Sequence, residues 1–290
     1  MNSKSSLAKA LQGTHTLFLV TLPDFVTGGV GGTELEHGKN VADEAKEAGV
    51  QHVVFSSLIN VTEASGGRLP HVAHFDRKAD IEKYIRSLGT PSTFIQPGYY
   101  MTNFINLQLL RKGDDGSYTL AGPTGATKAQ LPLFYPDADM GKYRVPPWSG
   151  QPTRLPPPRP PPSPDAATSR ELTHRPYAGK YVISVIKSRS KVLGKQVYAA
   201  ADYYTLTRIM QEFQEVTGKK GQYVQLDQDT YKGFLPPPIA QEILENELLC
   251  EDPGFFAGGS LVDGHKLLAE VGLAPTTWKD FLESKKELFA

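Results

Sequence analysis

Three short apolar runs, each set off from the next by a stretch of helical periodicity, restrict this chain to very few folds. The runs are Thr16-Leu-Phe-Leu-Val-Thr21, His52-Val-Val-Phe-Ser-Ser57 and Thr93-Phe-Ile-Gln96. Runs of this length suit strands covered on both faces of a parallel sheet. Between them lie a helix over about 35–48, stopped by Gly49, and one over about 74–88. The second carries Ile81, Tyr84, Ile85 and Leu88 at helical spacing and stops at Gly89. A short helix through Leu7 and Leu11, capped by Ser5 or Ser6 and closed by Gly13, precedes the first strand. Strands alternating with crossover helices predict βαβ units, hence an α/β fold with a doubly wound parallel sheet.

Beyond residue 180 the pattern stays mixed. Gln196–Ala199 and Gln222–Leu226 read as strands, and Thr205 caps a helix that buries Ile209, Met210, Phe213 and Val216 before Gly218. Helices near 239–250 and 261–270 follow, and Thr276 or Thr277 caps a last one containing Trp278, Phe281 and Leu282. This predicts a smaller, helix-rich α/β C-terminal region against the sheet.

Composition separates one piece from the rest. Segment 144–181 holds 11 of the 23 prolines and six basic residues against two acidic ones. The remainder carries 25 basic and 29 acidic residues, a net of −4, which argues against direct nucleic-acid binding. No apolar run approaches the roughly 18 residues of a membrane span. The single cysteine, Cys250, excludes an internal disulfide framework and fits a reducing compartment; in Leu248-Leu249-Cys250 it reads as a core residue.

In open α/β sheets, ligands bind beyond the carboxyl ends of the strands. Those ends are Val20-Thr21-Leu22, Ser56-Ser57-Leu58 and Gln96-Pro97-Gly98-Tyr99-Tyr100. The glycines of 28–32 form no complete phosphate fingerprint, because Glu34 stands where the last glycine of G-x-G-x-x-G belongs; a plain loop is expected there. A P-loop reading of Gly38-Lys39 fails too, with Thr33 and Asn40 in place of the required residues. His74 and Lys78 are four apart and share a helix face. The ammonium suits ribose hydroxyls and the imidazole suits proton transfer, so these two are the catalytic candidates, against a plain solvated face. His71 and His74 lack a third ligand for a metal, and no metal site is expected.

Several stretches together resemble the NmrA-like family of atypical short-chain dehydrogenases/reductases. They are 17–21, 38–49, 52–57, 74–84 (His-Phe-Asp-Arg-Lys-Ala-Asp-Ile-Glu-Lys-Tyr), 97–104 (Pro-Gly-Tyr-Tyr-Met-Thr-Asn-Phe) and 275–281 (Pro-Thr-Thr-Trp-Lys-Asp-Phe). The resemblance implies a Rossmann domain binding NADP or NAD, with contacts at Thr21, Leu22, Pro23, Lys78, Tyr100, Met101, Thr102 and Asn103. It puts Lys78 at the lysine of the dehydrogenases' Tyr-x-x-x-Lys pair and His74 at the tyrosine. A regulator of transcription acting through a GATA-type factor, in the nucleus or cytoplasm, is the first function implied; an NAD(P)H-dependent oxidoreductase is the second.

Two departures qualify this. Met1 falls about where the family's third strand should end, so a truncated Rossmann-like sheet without the G-x-x-G-x-x-G turn is expected, with impaired cofactor binding. The expected organisation is 1–143 as partial Rossmann domain, 144–181 as disordered insert and 182–290 as C-terminal region. Gly141-Lys-Tyr143 recurs as Gly179-Lys-Tyr181, and removing 144–181 restores one amphipathic helix. The insert therefore reads as retained non-coding sequence, with a proline-rich recruitment motif as the alternative.

Overall fold

Four parallel strands, β1 (Thr16–Leu19), β2 (His52–Ser56), β3 (Ser92–Pro97) and β8 (Gln196–Ala199), form the central sheet in the order β1-β2-β3-β8. The computed structural model describes residues 1, 3–23, 33–140 and 179–289. Successive strand residues point to opposite faces. Val53, Phe55 and Phe94 pack with Val41, Ala45 and Ile81, whereas Val54, Ile95 and Val197 pack with Tyr181, Val185 and Leu268. Helices α1 (Lys4–Leu11), α2 (Thr33–Glu47), α3 (Val61–Ala64) and α4 (Ala73–Ser87) fall in the first part of the chain. Helices α2 and α4 supply the first of these cores. They approach so closely that a Cβ on Gly38 would lie 2.6 Å from Ile81.

After β3 the chain leaves the central sheet through β4 (Tyr99–Tyr100), α5 (Asn103–Asn106), β5 (Leu110–Lys112), β6 (Tyr118–Gly122), β7 (Gln130–Phe134) and α6 (Pro136–Asp139). Helices α7 (Lys180–Lys187) and α8 (Arg189–Val192) lead back to β8. Then come β9 (Tyr203–Thr205), α9 (Leu206–Thr217), β10 (Gly221–Gln225), α10 (Gln228–Gly233), α11 (Ala240–Leu248), α12 (Val262–Glu270) and α13 (Trp278–Ser284). Helices α7 and α12 provide the opposite core, so the sheet is doubly wound. Two three-stranded sheets, β10-β6-β5 and β4-β7-β9, join segments from both sides of residue 180. The C-terminal region is thus interleaved with 99–134, and β8 belongs to the central sheet. Its own core centres on Trp278, stacked on Phe281 and donating Nε1–H to Ile209 O at 3.1 Å.

The structure moves several boundaries. Ser3, not Ser5 or Ser6, caps α1 by accepting from the Ser6 N–H. Thr205 caps α9 as expected, and Gly218 closes it at φ +69°. Thr277, not Thr276, caps α13 in a reciprocal capping box with Asp280. Gly179, Lys180 and Tyr181, assigned above to the insert, belong to the fold. Gly179 is the N-cap of α7, and Tyr181 is wholly buried with its hydroxyl donating to Ala200 O at 2.9 Å. The second copy of the repeated Gly-Lys-Tyr is a helix start. Segment 141–178 and the glycine loop at 28–32 lie outside the described residues.

Candidate functional site

The carboxyl end of β1 is joined to the first turn of α2 and the second turn of α4 by one ammonium. Lys78 Nζ donates to Thr21 O (2.7 Å), Thr21 Oγ1 (2.9 Å) and Glu34 Oε1 (2.5 Å), which uses all three of its N–H bonds. Thr21 Oγ1 in turn donates to Glu34 Oε1 at 2.7 Å. Glu34 is wholly buried, and its other oxygen, Oε2, has no hydrogen-bond partner among the described residues. Burial pulls the Lys78 pKa down, while the charge and hydrogen bond of Glu34 oppose that.

His74 meets a different partner. Its Nδ1 lies 2.6 Å from Glu242 Oε1, which also accepts the His74 backbone N–H at 3.0 Å. One turn along α11, Glu245 does the same for His71, accepting its backbone N–H at 2.7 Å and its Nδ1 at 2.5 Å. Two carboxylates three apart thus occupy the N-terminal end of α4, where free N–H groups and the helix dipole favour negative charge. Burial alone would raise the Glu242 pKa, but the His74 donors hold it below its usual value. Among the described residues, no cluster of three or more metal-ligating groups exists, and no helix is long and apolar enough to cross a membrane.

The segment after β3 sits at the same edge of the sheet, two strand spacings from β1, about 10 Å. Tyr100 is 37% exposed, and Thr102 and Asn103 are partly exposed. Met101 is wholly buried, and its N–H goes to Phe134 O, so it faces the core. Leu22 is 62% exposed beside the buried Thr21, and Pro23 is partly exposed. The structure therefore brings Thr21 and Lys78 into contact, sets Leu22, Pro23, Tyr100, Thr102 and Asn103 along one rim, and withdraws Met101. Behind this rim Gln96 is wholly buried, and neither end of its amide has a partner among the described residues. Such an orphaned buried group fits an edge whose hydrogen bonding a ligand completes.

Sequence reading passed over four side chains here. Glu34 was taken only as a missing glycine; its signal was an acidic residue in a first helical turn. Glu242 and Glu245 carried an i, i+3 spacing but no hint of their histidine partners. Glu247 accepts the Tyr99 hydroxyl at 3.1 Å, beside a small, partly open cavity of about 20 Å³ lined also by Phe104, Leu120, Leu206 and Tyr231. Burial pushes the Glu247 carboxyl up to about 7, against the opposing Tyr99 bond.

A parallel sheet with helices on both faces and a polar carboxyl edge is shared by many nucleotide-binding proteins, so the narrower assignment rests on comparison. The model of the NmrA-like family matches residues 1–148 and 149–282. The chain belongs to the NmrA-like family. It is 30% identical over 232 residues to the NmrA-like family domain-containing oxidoreductase lnaB of Aspergillus flavus, covering 76% of this chain and 58% of that protein. It is 34% identical over 108 residues to the nitrogen metabolite repression protein nmrA of Emericella nidulans, covering 37% of this chain and 28% of that one. The chain spans about half the length of the curated relatives it matches. Among solved structures, NmrA, a negative transcriptional regulator in complex with NAD, superposes with a TM-score of 0.69 at 18% identity. That match covers 99% of this chain and 78% of NmrA. The Citrobacter sp. triphenylmethane reductase complexed with NADP(H) superposes at 0.64 and 18% identity, over 98% of this chain and 81% of the reductase. The NmrA-like family thus supplies both regulators and oxidoreductases as relatives, on one fold.

Proposed function

We propose that this NmrA-like protein binds a nicotinamide dinucleotide, NADP or NAD, at the carboxyl edge of its sheet and passes the bound state to a protein partner without turning over a substrate. The observation that carries this reading is the capture of His74 by Glu242. In the reductases' Tyr-x-x-x-Lys arrangement, the first residue gives a proton to the substrate. Here that position holds an imidazole whose Nδ1 is committed to a carboxylate, on a helix that covers it. Lys78 can turn one of its three donors to ribose, Thr102 and Asn103 suit the amide of the nicotinamide, and Leu22 and Tyr100 its ring. A bound dinucleotide would supply hydride exchange at the ring; the residues named here bind and orient.

The sequence contains no G-x-x-G-x-x-G pattern, and we propose that it binds the dinucleotide less tightly than proteins that carry this phosphate-cradling turn. The partner we propose is a GATA-type transcription factor, met in the nucleus or cytoplasm. The test is a pull-down of such a factor with and without NAD(P), in both redox states, alongside calorimetry. Partner capture that changes with the dinucleotide is expected; no capture in either state sinks the reading.

One observation favours a second reading, an NAD(P)H-dependent reductase. Tyr99, next to the rim residue Tyr100, is hydrogen-bonded to a carboxyl whose pKa lies near neutrality, and the two face one cavity. Such a pair is suited to hand a proton to a carbonyl oxygen. Loss of NADPH absorbance with a ketone or quinone, abolished by Tyr99→Phe, would establish it.

A further inference from the structure

Glu34 is an expensive residue to keep. A carboxylate with no exposure and one oxygen unpartnered among the described residues carries an uncompensated desolvation cost. A buried ion pair is commonly matched or bettered by apolar side chains of similar volume. Glu34 opens α2 and has no part in the apolar packing between α2 and α4, which runs through Gly38, Val41 and Ile81. Among the described residues its charged contact is Lys78.

We propose that Glu34 is the positioning residue for Lys78: from the buried side it fixes the ammonium so that one donor can be turned to a ligand hydroxyl at the carboxyl edge of the sheet. This rests on the dinucleotide reading above and adds a residue to it. The geometry supplies the exchange. Of the three Lys78 bonds, the one to Thr21 Oγ1 is the longest, 2.9 Å, and goes to a neutral hydroxyl. A ribose hydroxyl can take that donor while the Glu34 pair and the Thr21 carbonyl keep the ammonium in place. The ligand meets the accessible side of Lys78, whose side chain is 10% exposed, and Glu34 stays behind it.

The charges around α4 are engaged elsewhere. Asp76 accepts from the Val61 N–H and the Thr62 hydroxyl, Glu63 takes Lys83, and Asp43 takes the Tyr84 hydroxyl. Glu82 takes Arg86, and Glu242 takes His74. Glu34 is the charge that acts on Lys78. Without it, burial is the effect left, and the lysine gives up its proton at a lower pH.

The test reads Lys78 directly. Carbon-13 labelling at lysine Cε follows its charge in the ligand-free protein from about pH 6.5 to 9.5, and calorimetry follows NADP and NAD over the same range. Wild-type Lys78 should be charged at neutral pH, with dinucleotide affinity holding for as long as that charge does. Glu34→Gln should move the Lys78 midpoint down by one pH unit or more, with about a tenfold loss of affinity between pH 6.5 and 8.5. Glu34→Asp should recover most of both. A residue that merely packs would weaken binding equally at every pH, so parallel profiles for wild type and Glu34→Gln overturn the proposal. Should that variant not fold, a wild-type Lys78 that is already uncharged at pH 7.5 overturns it alone. A charged Lys78 that shifts as described, in a protein that binds neither dinucleotide, supports the pairing and defeats the dinucleotide reading instead.

Discussion

Asp139 Oδ1 stands 3.1 Å from Lys180 Nζ, so the chain reaches 141–178 and returns from it at one ion pair. Asp139 is wholly buried. Its two oxygens also accept the Thr276 N–H (3.2 Å) and hydroxyl (2.9 Å), and Lys180 Nζ donates to the same hydroxyl at 2.9 Å. Met140 and Tyr181 flank this contact in one apolar cluster.

Asp139 and Lys180 thus join the two described ends of the chain across 141–178. Replacing that segment by a linker of about five Gly and Ser residues should leave the protein folded with no loss of stability. Urea denaturation of both forms is the measurement. Asp139→Ala should cost roughly 2–3 kcal/mol by leaving Lys180 and two Thr276 groups without their acceptor.

Glu242 links stability to acid. Its carboxyl pKa is depressed on folding, so its contribution is present above the unfolded value of about 4.3 and fades as pH falls through the folded one. Glu242→Gln should cost about 1 kcal/mol at pH 7 and nothing once the pH is below both values. Urea midpoints at pH 7 and pH 3 decide this, and an equal loss at both would mean that shape, not charge, holds α11 to α4.

The central sheet was legible because its strands are buried on both faces, and burial writes continuous apolar runs into β2 and β3. The strands β4, β5, β6, β7 and β9 were not. Tyr99–Tyr100 is two residues long, and Leu110–Lys112 is Leu-Arg-Lys with both charges exposed. Gln130–Phe134 carries a proline, and β9 ends on the residue that caps the next helix. Such strands are fixed by partners distant in sequence, such as Leu131 opposite Tyr204. The site divided in the same way. Lys78 was found by its spacing from His74, but Glu34 and Glu242 act across elements, and a single chain holds no local trace of that pairing.

His52 makes the sheet sensitive to acid in a second way. Thr93 Oγ1 donates to Val192 O at 3.0 Å and so accepts at 2.9 Å from His52 Nε2, which must carry the proton. Nδ1 is left buried and without a partner. Burial first, then the charges of Arg189 and His15, lower the His52 pKa from 6.5 to about 4. The unfolded chain therefore takes up a proton below pH 6.5 that the folded one refuses, and stability falls as pH drops from there toward 4. About 1 kcal/mol should be lost by pH 5.5. His52→Gln should flatten this part of the stability–pH curve whatever its effect at pH 8; an unchanged slope would mean that His52 does not enter folding as a neutral group.

Glu247 has the opposite sign. Burial raises its pKa from 4.5 to about 7, with the Tyr99 hydroxyl bond working against the shift. An acid with a raised folded value favours folding fully below its unfolded pKa, and that contribution is lost as pH rises through the folded one. Between about pH 4.5 and 7 its effect therefore opposes that of His52, and above 7 a charged carboxylate sits beside Tyr99 in a largely apolar lining. Glu247→Gln keeps an acceptor for the Tyr99 hydroxyl and removes the charge. It should leave stability near wild type at pH 4.5 and raise it at pH 8 by about 1–2 kcal/mol, less than full burial would give because the side chain borders a partly open cavity. Thermal unfolding at both pH values measures this. A loss at pH 8 would show that the carboxylate is stabilised there by a group that glutamine cannot satisfy, and would direct attention to Tyr231, which lines the same cavity.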